Sequence, residues 1–229
     1  MDSTLGEDQV IIEVLKQLVE PLAQSLPNTE VLVHDLSLLP NSIVAIHGDV
    51  TGREPGDPAT DLLLEQAARQ KFETRVGYYS RLPDGRRTKG TTIAITNGSG
   101  KAIAALCTNT DVGWWDELST IISAMTEPAA PPEPEEPTEP AVEAFVHDVD
   151  ELTDLLLRRA IEGQQVPVEL MRKEHKVQVV RQVRAGGMFL LRDAAETVAA
   201  ALEVSRFTIY NYINEIEEED RILEELDQK

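Results

Sequence analysis

The stretch Leu202-Glu203-Val204-Ser205-Arg206-Phe207-Thr208-Ile209-Tyr210-Asn211-Tyr212-Ile213 decides how the C-terminal part of the chain is read. A break at Glu203-Val204 leads to Ser205, a favourable N-cap because its hydroxyl can satisfy an orphan amide of the next turn. Behind it the pattern predicts a helix over 206–216, with Ile209 and Tyr212 on its inner face. Working backward, Leu191–Leu202 carries Ala195, Val198, Ala199 and Leu202 at helical spacing. Glu169–Ala185 carries Leu170, Val177, Val180 and Val183, and is stopped by Gly186-Gly187. Ala199, Val204, Ile209 and Tyr212 then supply a small residue where two helices cross, an apolar turn residue and two anchors. That is the pattern of a helix-turn-helix, whose last helix enters the major groove by its N-terminal part.

The outward residues of that helix are Arg206, Phe207, Tyr210, Asn211 and Asn214. Arg206 suits a phosphate or a guanine edge and Asn211 an adenine edge, while Ser205 and Thr208 hold the helix start or touch phosphate. Arg172, Lys173, Lys176, Arg181, Arg184 and Arg192 are candidates for contacts to the DNA backbone.

Total charge argues the other way. The 229 residues hold 41 acidic against 21 basic side chains, a net charge of -20, whereas nucleic-acid binders ordinarily carry a basic excess. Resolved along the chain, residues 1–126 carry -7, residues 127–169 carry -10, residues 170–214 carry +3 and residues 215–229 carry -6. The only net-positive stretch is therefore the one that holds the helix-turn-helix pattern. Half of the excess lies in 127–169, which opens with Glu127–Pro140, where six prolines and five glutamates in fourteen residues rule out a continuous helix and predict an extended, self-repelling spacer.

Upstream of the spacer, Val10–Ala23 has helical periodicity with Pro21 near its end. Val31–Leu36 and Ser42–His47 read as strands, and Thr60–Arg69 as a short helix. Gly77–Leu82, Thr91–Thr96 and Lys101–Cys107 read as an antiparallel meander, punctuated by Pro83-Asp84-Gly85 and Asn97-Gly98-Ser99-Gly100. A closing helix over Trp115–Met125 places Leu118, Ile121, Ile122 and Met125 on one apolar face. The expectation is a compact α+β, sensor-like domain. Its polar residues at strand ends and turns, His34, Asp35, Asn41, Arg53, Asn97, Asn109 and Asp111, are candidates for binding a small polar ligand, with Cys107 beside them. The plain alternative is that the Asn and Asp residues cap turns and that Cys107 is a small buried hydrophobe.

Enzymatic function classes find little support. Cys107 is the single cysteine, which removes an intramolecular disulfide framework and any paired-cysteine zinc site, and suits a reducing compartment. Gly98-Ser99-Gly100-Lys101 falls short of a phosphate-binding loop, since Ala102 and a strand pattern follow it. Neither a nucleophile elbow nor a cluster of metal ligands supports a Cys107-histidine enzyme, so no catalytic residue, metal or cofactor is expected. No run of about 20 apolar residues is present. The N-terminal eight residues lack the basic start of a secretory signal, so a cytoplasmic, membrane-free protein is expected.

Val33-His34-Asp35-Leu36, Asn41–Ile46, Thr51-Gly52-Arg53, Gly56–Leu62 and Leu106–Asp111 together resemble the YheO-like PAS domain family. The segment Leu202–Ile213 resembles the helix-turn-helix that accompanies this domain in bacterial transcriptional regulators. The resemblance spans roughly residues 8–125 and 168–216. It implies an α+β, PAS-like antiparallel-sheet sensor or dimerisation domain over 1–126, followed by an all-α helix-turn-helix domain over 168–216. Between them stand a Pro/Glu-rich linker over 127–140 and a connector helix region over 141–167; an acidic tail over 217–229 ends the chain. The implied function is sequence-specific binding of double-stranded DNA by a homodimer, with a first domain that senses a small polar molecule or mediates dimerisation. The alternative is a ligand-sensing or protein-interaction module whose trihelical C-terminus docks a protein.

Overall fold

The computed structural model describes residues 6–126 and 143–227. It resolves into two compact units, Met1–Leu62 with Phe72–His147, and Leu63–Lys71 with Asp148–Lys229. The elements run in the order α1 (Glu7–Ser25), β1 (Thr29–Asp35), β2 (Ile43–His47), α2 (Asp61–Ala68), β3 (Arg75–Arg81), β4 (Arg87–Thr96), β5 (Ala102–Asp111), α3 (Gly113–Thr126), α4 (Val149–Glu162), α5 (Lys173–Ala185), α6 (Ala194–Ala201) and α7 (Arg206–Asp227). The Pro/Glu spacer over 127–140 lies outside the described residues.

In the first unit the five strands form one antiparallel sheet in the order β2-β1-β5-β4-β3. Helix α1 presents Ile12, Leu15, Val19 and Ala23, at helical spacing, to Val31, Val33, Ile103 and Ala104. Side chains alternate across a strand, so Val31 and Val33 face α1 while Glu30, Leu32 and His34 face the opposite side. Strand register places Glu30 beside Asn109 and Leu32 beside Cys107, and Cys107 in turn beside Thr92. Polar residues thus line up along one interior face of the sheet. The turn at Pro83-Asp84-Gly85 closes with Leu82 N–H donating to the Arg86 carbonyl at 2.9 Å. In the next turn the Asn97 side-chain oxygen accepts from the amides of Ser99 and Lys101, both at 3.1 Å.

In the second unit Val177, Val179, Val180 and Val183 of α5 are buried, as are Ala194, Ala195, Val198 and Ala199 of α6, and Ile209, Tyr212 and Ile216 of α7. The spacing that predicted the helix-turn-helix is the spacing that fills this core. Leu170, by contrast, is 71% exposed, because it closes a short 3-10 turn over Val168–Leu170 ahead of α5 instead of lying within one long helix.

Other boundaries move for identifiable reasons. Strands β4 and β5 extend beyond the apolar runs, through Arg87–Gly90 and Thr108–Asp111, because backbone pairing continues where the side chains are polar. Within the connector region expected over 141–167, helix α4 begins at Val149: Asp148 has extended backbone angles and its carboxylate accepts from Glu151 N–H at 2.7 Å, an N-cap. The last helix, expected over 206–216, continues into the acidic stretch, with α7 running on to Asp227. Glutamate is a good helix former, and Asp220 accepts from Arg181 at 2.7 Å and from Arg184 at 3.0 Å.

Gly48 is one position where the fold requires glycine. It has φ +106°, and a Cβ there would stand 2.7 Å from the Glu30 Cα and 2.8 Å from the Thr29 carbonyl oxygen. Both neighbours are backbone of β1 and cannot turn aside. The Gly48→Ala variant is expected to lose about 2–4 kcal/mol of stability in urea unfolding, from strain and overpacking together.

Candidate functional site

Two constellations emerge, one in each unit. The interior polar face of the sheet centres on Glu30, which is fully buried on β1. Its carboxylate accepts from Thr51 N–H at 3.0 Å, from Thr51 Oγ1 at 2.8 Å and from Asn109 Nδ2 at 3.1 Å. Arg53 approaches it at 3.8 Å, with its own Nε donating to Thr51 Oγ1 at 3.1 Å and its guanidinium 5.1 Å from the Phe145 ring centroid. A buried carboxylate is costly unless paired and hydrogen-bonded, and Glu30 is both.

Next to this network lies a second buried acid, Glu143. Thr60 Oγ1 donates to its Oε1 at 2.5 Å, and Ala144 N–H donates to the Asp61 carboxylate at 2.7 Å, so residues 143 and 144 are fastened to the segment that opens α2. Phe145 packs with Val50 and Leu82. Burial pushes the Glu143 carboxyl above its ordinary range, while the hydroxyls of Thr60 and Tyr78 and the charge of Arg53 hold it down. Glu143 Oε2 and Arg53 Nη1 are both buried without a hydrogen-bond partner. Each such orphan costs about 1–3 kcal/mol relative to a satisfied group.

His34 is buried, with Nδ1 2.8 Å from Ser42 Oγ. Burial, helped by the Arg53 charge, lowers its pKa to about 3. Cys107 is buried with Sγ 3.5 Å from Thr92 Oγ1, and burial pushes its thiol up to about 12, the reverse of what a nucleophile needs. Tyr78 donates to or accepts from Thr92 Oγ1 at 2.9 Å, and burial raises its pKa. Among the described residues no group of three or more His, Cys, Asp or Glu could hold a metal ion.

Of the ligand candidates read from sequence, the structure gathers Arg53, Asn109 and Cys107 on this face, with His34 within reach of the Arg53 charge. The others stand elsewhere. Asp35 accepts from Ser37 N–H at 2.9 Å and caps a 3-10 turn. Asn41 is exposed in a turn. Asn97 holds its own turn and reaches Asp8 at 2.9 Å. Asp111 pairs with Arg86 at 2.9 Å and accepts from Gly113 N–H. Glu30, Thr51, Thr60, Tyr78, Thr92 and Glu143 escaped the sequence reading. Strand alternation placing Glu30 opposite the α1-facing valines was the available signal for the first; nothing local marks Glu143.

In the second unit the turn between α6 and α7 has Glu203 at φ +52°, the left-handed conformation that favours glycine. Ser205 Oγ accepts from Thr208 N–H at 3.1 Å and lies 2.8 Å from Thr208 Oγ1, so both hydroxyls serve the helix start. Phe207 is 73% exposed, and Arg206, Tyr210, Asn211 and Asn214 are exposed beside it. Arg206 donates to the Tyr210 hydroxyl at 3.0 Å, stacks on its ring and pairs with Glu196. The basic residues behind the helix are largely taken up: Lys173 with Glu215 at 2.7 Å, Lys176 with the Leu202 carbonyl at 2.7 Å, and Arg181 and Arg184 with α7 carboxylates.

With both constellations placed, comparison with known proteins is decisive. A profile of the YheO-like PAS domain matches residues 6–127. The chain belongs to the YheO-like PAS domain family. A profile described as an HTH domain matches residues 152–214, so a PAS-like sensor domain is followed by a helix-turn-helix, an architecture of transcription regulation and not of enzymes. The chain is 29% identical over 221 residues to the uncharacterized protein YheO of Escherichia coli, covering 93% of this chain and 89% of that protein. It is 28% identical over 216 residues to an uncharacterized protein of Haemophilus influenzae, covering 93% and 94%. With the transcriptional regulator DauR of Pseudomonas aeruginosa it shares 25% identity over 193 residues, covering 84% and 87%. Among the described residues no helix is long and apolar enough to cross a membrane.

His34 yields a pH test. Its folded pKa lies below the ordinary 6.5, so the fold holds it neutral while the unfolded chain takes up a proton. Its contribution to stability is therefore present above about pH 6.5 and is lost, by up to about 1.4 kcal/mol per pH unit, as pH falls toward the folded value. Nuclear magnetic resonance titration is expected to find the His34 ring neutral down to about pH 5, where an unperturbed imidazole is protonated.

Proposed function

We propose that this protein is a sequence-specific DNA-binding transcriptional regulator that acts as a homodimer and whose PAS-like domain senses a small polar molecule. The observation that carries this reading is the division of α7: Ile209, Tyr212 and Ile216 anchor it in the core while Arg206, Phe207, Tyr210, Asn211 and Asn214 stand exposed along its first turns. A recognition helix needs both halves, an inner face that fixes its pitch and an outer face of donors and flat rings. Arg206 would exchange Glu196 for a phosphate or a guanine edge, and Asn211 would read adenine. Ser205 and Thr208 set the helix start and add phosphate contacts.

Because several basic side chains are already neutralised by α7 carboxylates, sequence-independent affinity would be weak. Discrimination would rest on two helices reading two half-sites about 34–36 Å apart. The second copy is supplied through α3. Trp115, Leu118, Ile122 and Met125 recur at intervals of three, four and three residues, the seam of a two-helix coiled coil, and all four are exposed, Met125 at 83%. An uncovered apolar stripe of that period fits the same stripe on a second copy.

Selection of bound fragments from genomic DNA is expected to return a pseudo-palindromic site; recovery of no preferred fragment would sink the reading. On that site Arg206→Ala is expected to weaken binding about tenfold and to lower the salt slope by about one. Salt-insensitive association with a protein, unaltered DNA affinity and no salt effect in the variant would point to a docking module instead. Ile122→Glu is expected to yield a monomer in sedimentation and to abolish half-site cooperativity, with the helical unit still folded.

A further inference from the structure

The interior polar face of the first unit already contains an occupant. Glu143 is not part of the sheet; it arrives after the Pro/Glu-rich stretch, from a segment with no helix or strand of its own, and its carboxylate ends among side chains contributed by the sheet and its covering loops. Its surroundings are chemically apt for a carboxylate: the Thr60 hydroxyl at 2.5 Å, the Tyr78 hydroxyl, and the buried guanidinium of Arg53. The fit is nonetheless incomplete. Glu143 Oε2 finds no donor and Arg53 Nη1 finds no acceptor, although both are buried in the same unit. An acid placed on the end of a fixed main chain, with Ala144 N–H held by Asp61 and Phe145 locked against Val50 and Leu82, cannot shift to satisfy both. A free molecule is under no such restraint.

We propose that the polar chamber framed by Arg53, Thr60 and Tyr78 is a binding site for a small carboxylate, and that Glu143 is its tethered resident occupant. The incoming carboxylate takes the Thr60 hydroxyl and engages the unpartnered Arg53 Nη1, and residues 143–147 leave. No covalent step is involved. Residue 147 is the last of the first unit and Asp148 opens the second, so this segment stands directly before the chain enters the helical unit. The inference rests on the sensor reading of this unit and deepens it by naming the ligand class.

The test uses the full-length chain and acetate, the group that Glu143→Ala removes. About 100 mM sodium acetate is expected to raise the thermal midpoint of Glu143→Ala by about 2–4 °C over equal sodium chloride, with acetamide giving no such rise. Glu143→Gln, isosteric and still filling the chamber, is expected to show no acetate shift. If Glu143→Ala does not fold in chloride, refolding yield becomes the readout, and acetate-dependent recovery is the expected result. Equal midpoints or yields in acetate and chloride, an equal effect of acetamide, or an equal response of Glu143→Gln would each overturn the proposal. DNA-fragment selection with the wild-type chain separates the two readings. Specific DNA binding without an acetate effect defeats this inference alone, whereas an acetate effect without DNA binding defeats the regulator reading and leaves the carboxylate site standing.

Discussion

The buried carboxylate of Glu30 is the constraint around which the first unit is organised. A carboxylate near the start of β1 with no exposure at all must be supplied with donors, and they come from the backbone and hydroxyl of Thr51, the amide of Asn109 on β5, and Arg53. Meeting that demand brings the loop after β2 down onto the strand, which is possible only because Gly48 lets the backbone pass within contact of Glu30 and Thr29. The same loop carries Arg53 inward, where its charge adds to the burial that lowers the His34 pKa and opposes the burial that raises that of Glu143. One carboxylate thus determines where the cation of the candidate sensor site stands.

Charge in the second unit follows a different logic. Its helix-turn-helix is the sole basic stretch of an acidic chain, yet the acidic second half of α7 folds back its own balance by pairing with Arg181 and Arg184. These partly exposed pairs contribute little to stability. On the proposed DNA-binding reading their consequence would lie in recognition, because cations engaged with carboxylates offer less to a phosphate backbone, and the burden would shift to the donors and rings at the start of α7. The family relationship gives this arrangement its context, a sensor domain joined to a helix-turn-helix.

Much of the fold was legible because its elements are repetitive. The helical spacing of Val177, Val180 and Val183, of Ala195, Val198 and Ala199, and of Ile209 and Tyr212 is the spacing that fills the helical core. Asp84-Gly85 and Asn97-Gly98 lie in the turns that they announced. Apolar periodicity understated β4 and β5, since residues at the start of β4 and at the end of β5 pair through backbone while presenting largely polar side chains. That Arg206, Phe207, Tyr210, Asn211 and Asn214 stand exposed was readable from the period of one helix. The polar core was readable only in part: Arg53, Cys107 and Asn109 converge, whereas Asn41, Asn97 and Asp111 remain at their own turns.

What the sequence determined by itself was the order of two modules, the antiparallel meander, the helix-turn-helix and the local sign of charge, because each follows from residue period, turn chemistry or composition over a short window. What only the tertiary structure decided was company. Glu30 and Asn109 are 79 positions apart, Thr60 and Glu143 are 83 apart, and no local pattern records that they meet. The cost of burying an unpaired polar group is paid between distant segments, so the groups that settle it become visible only when the chain is folded.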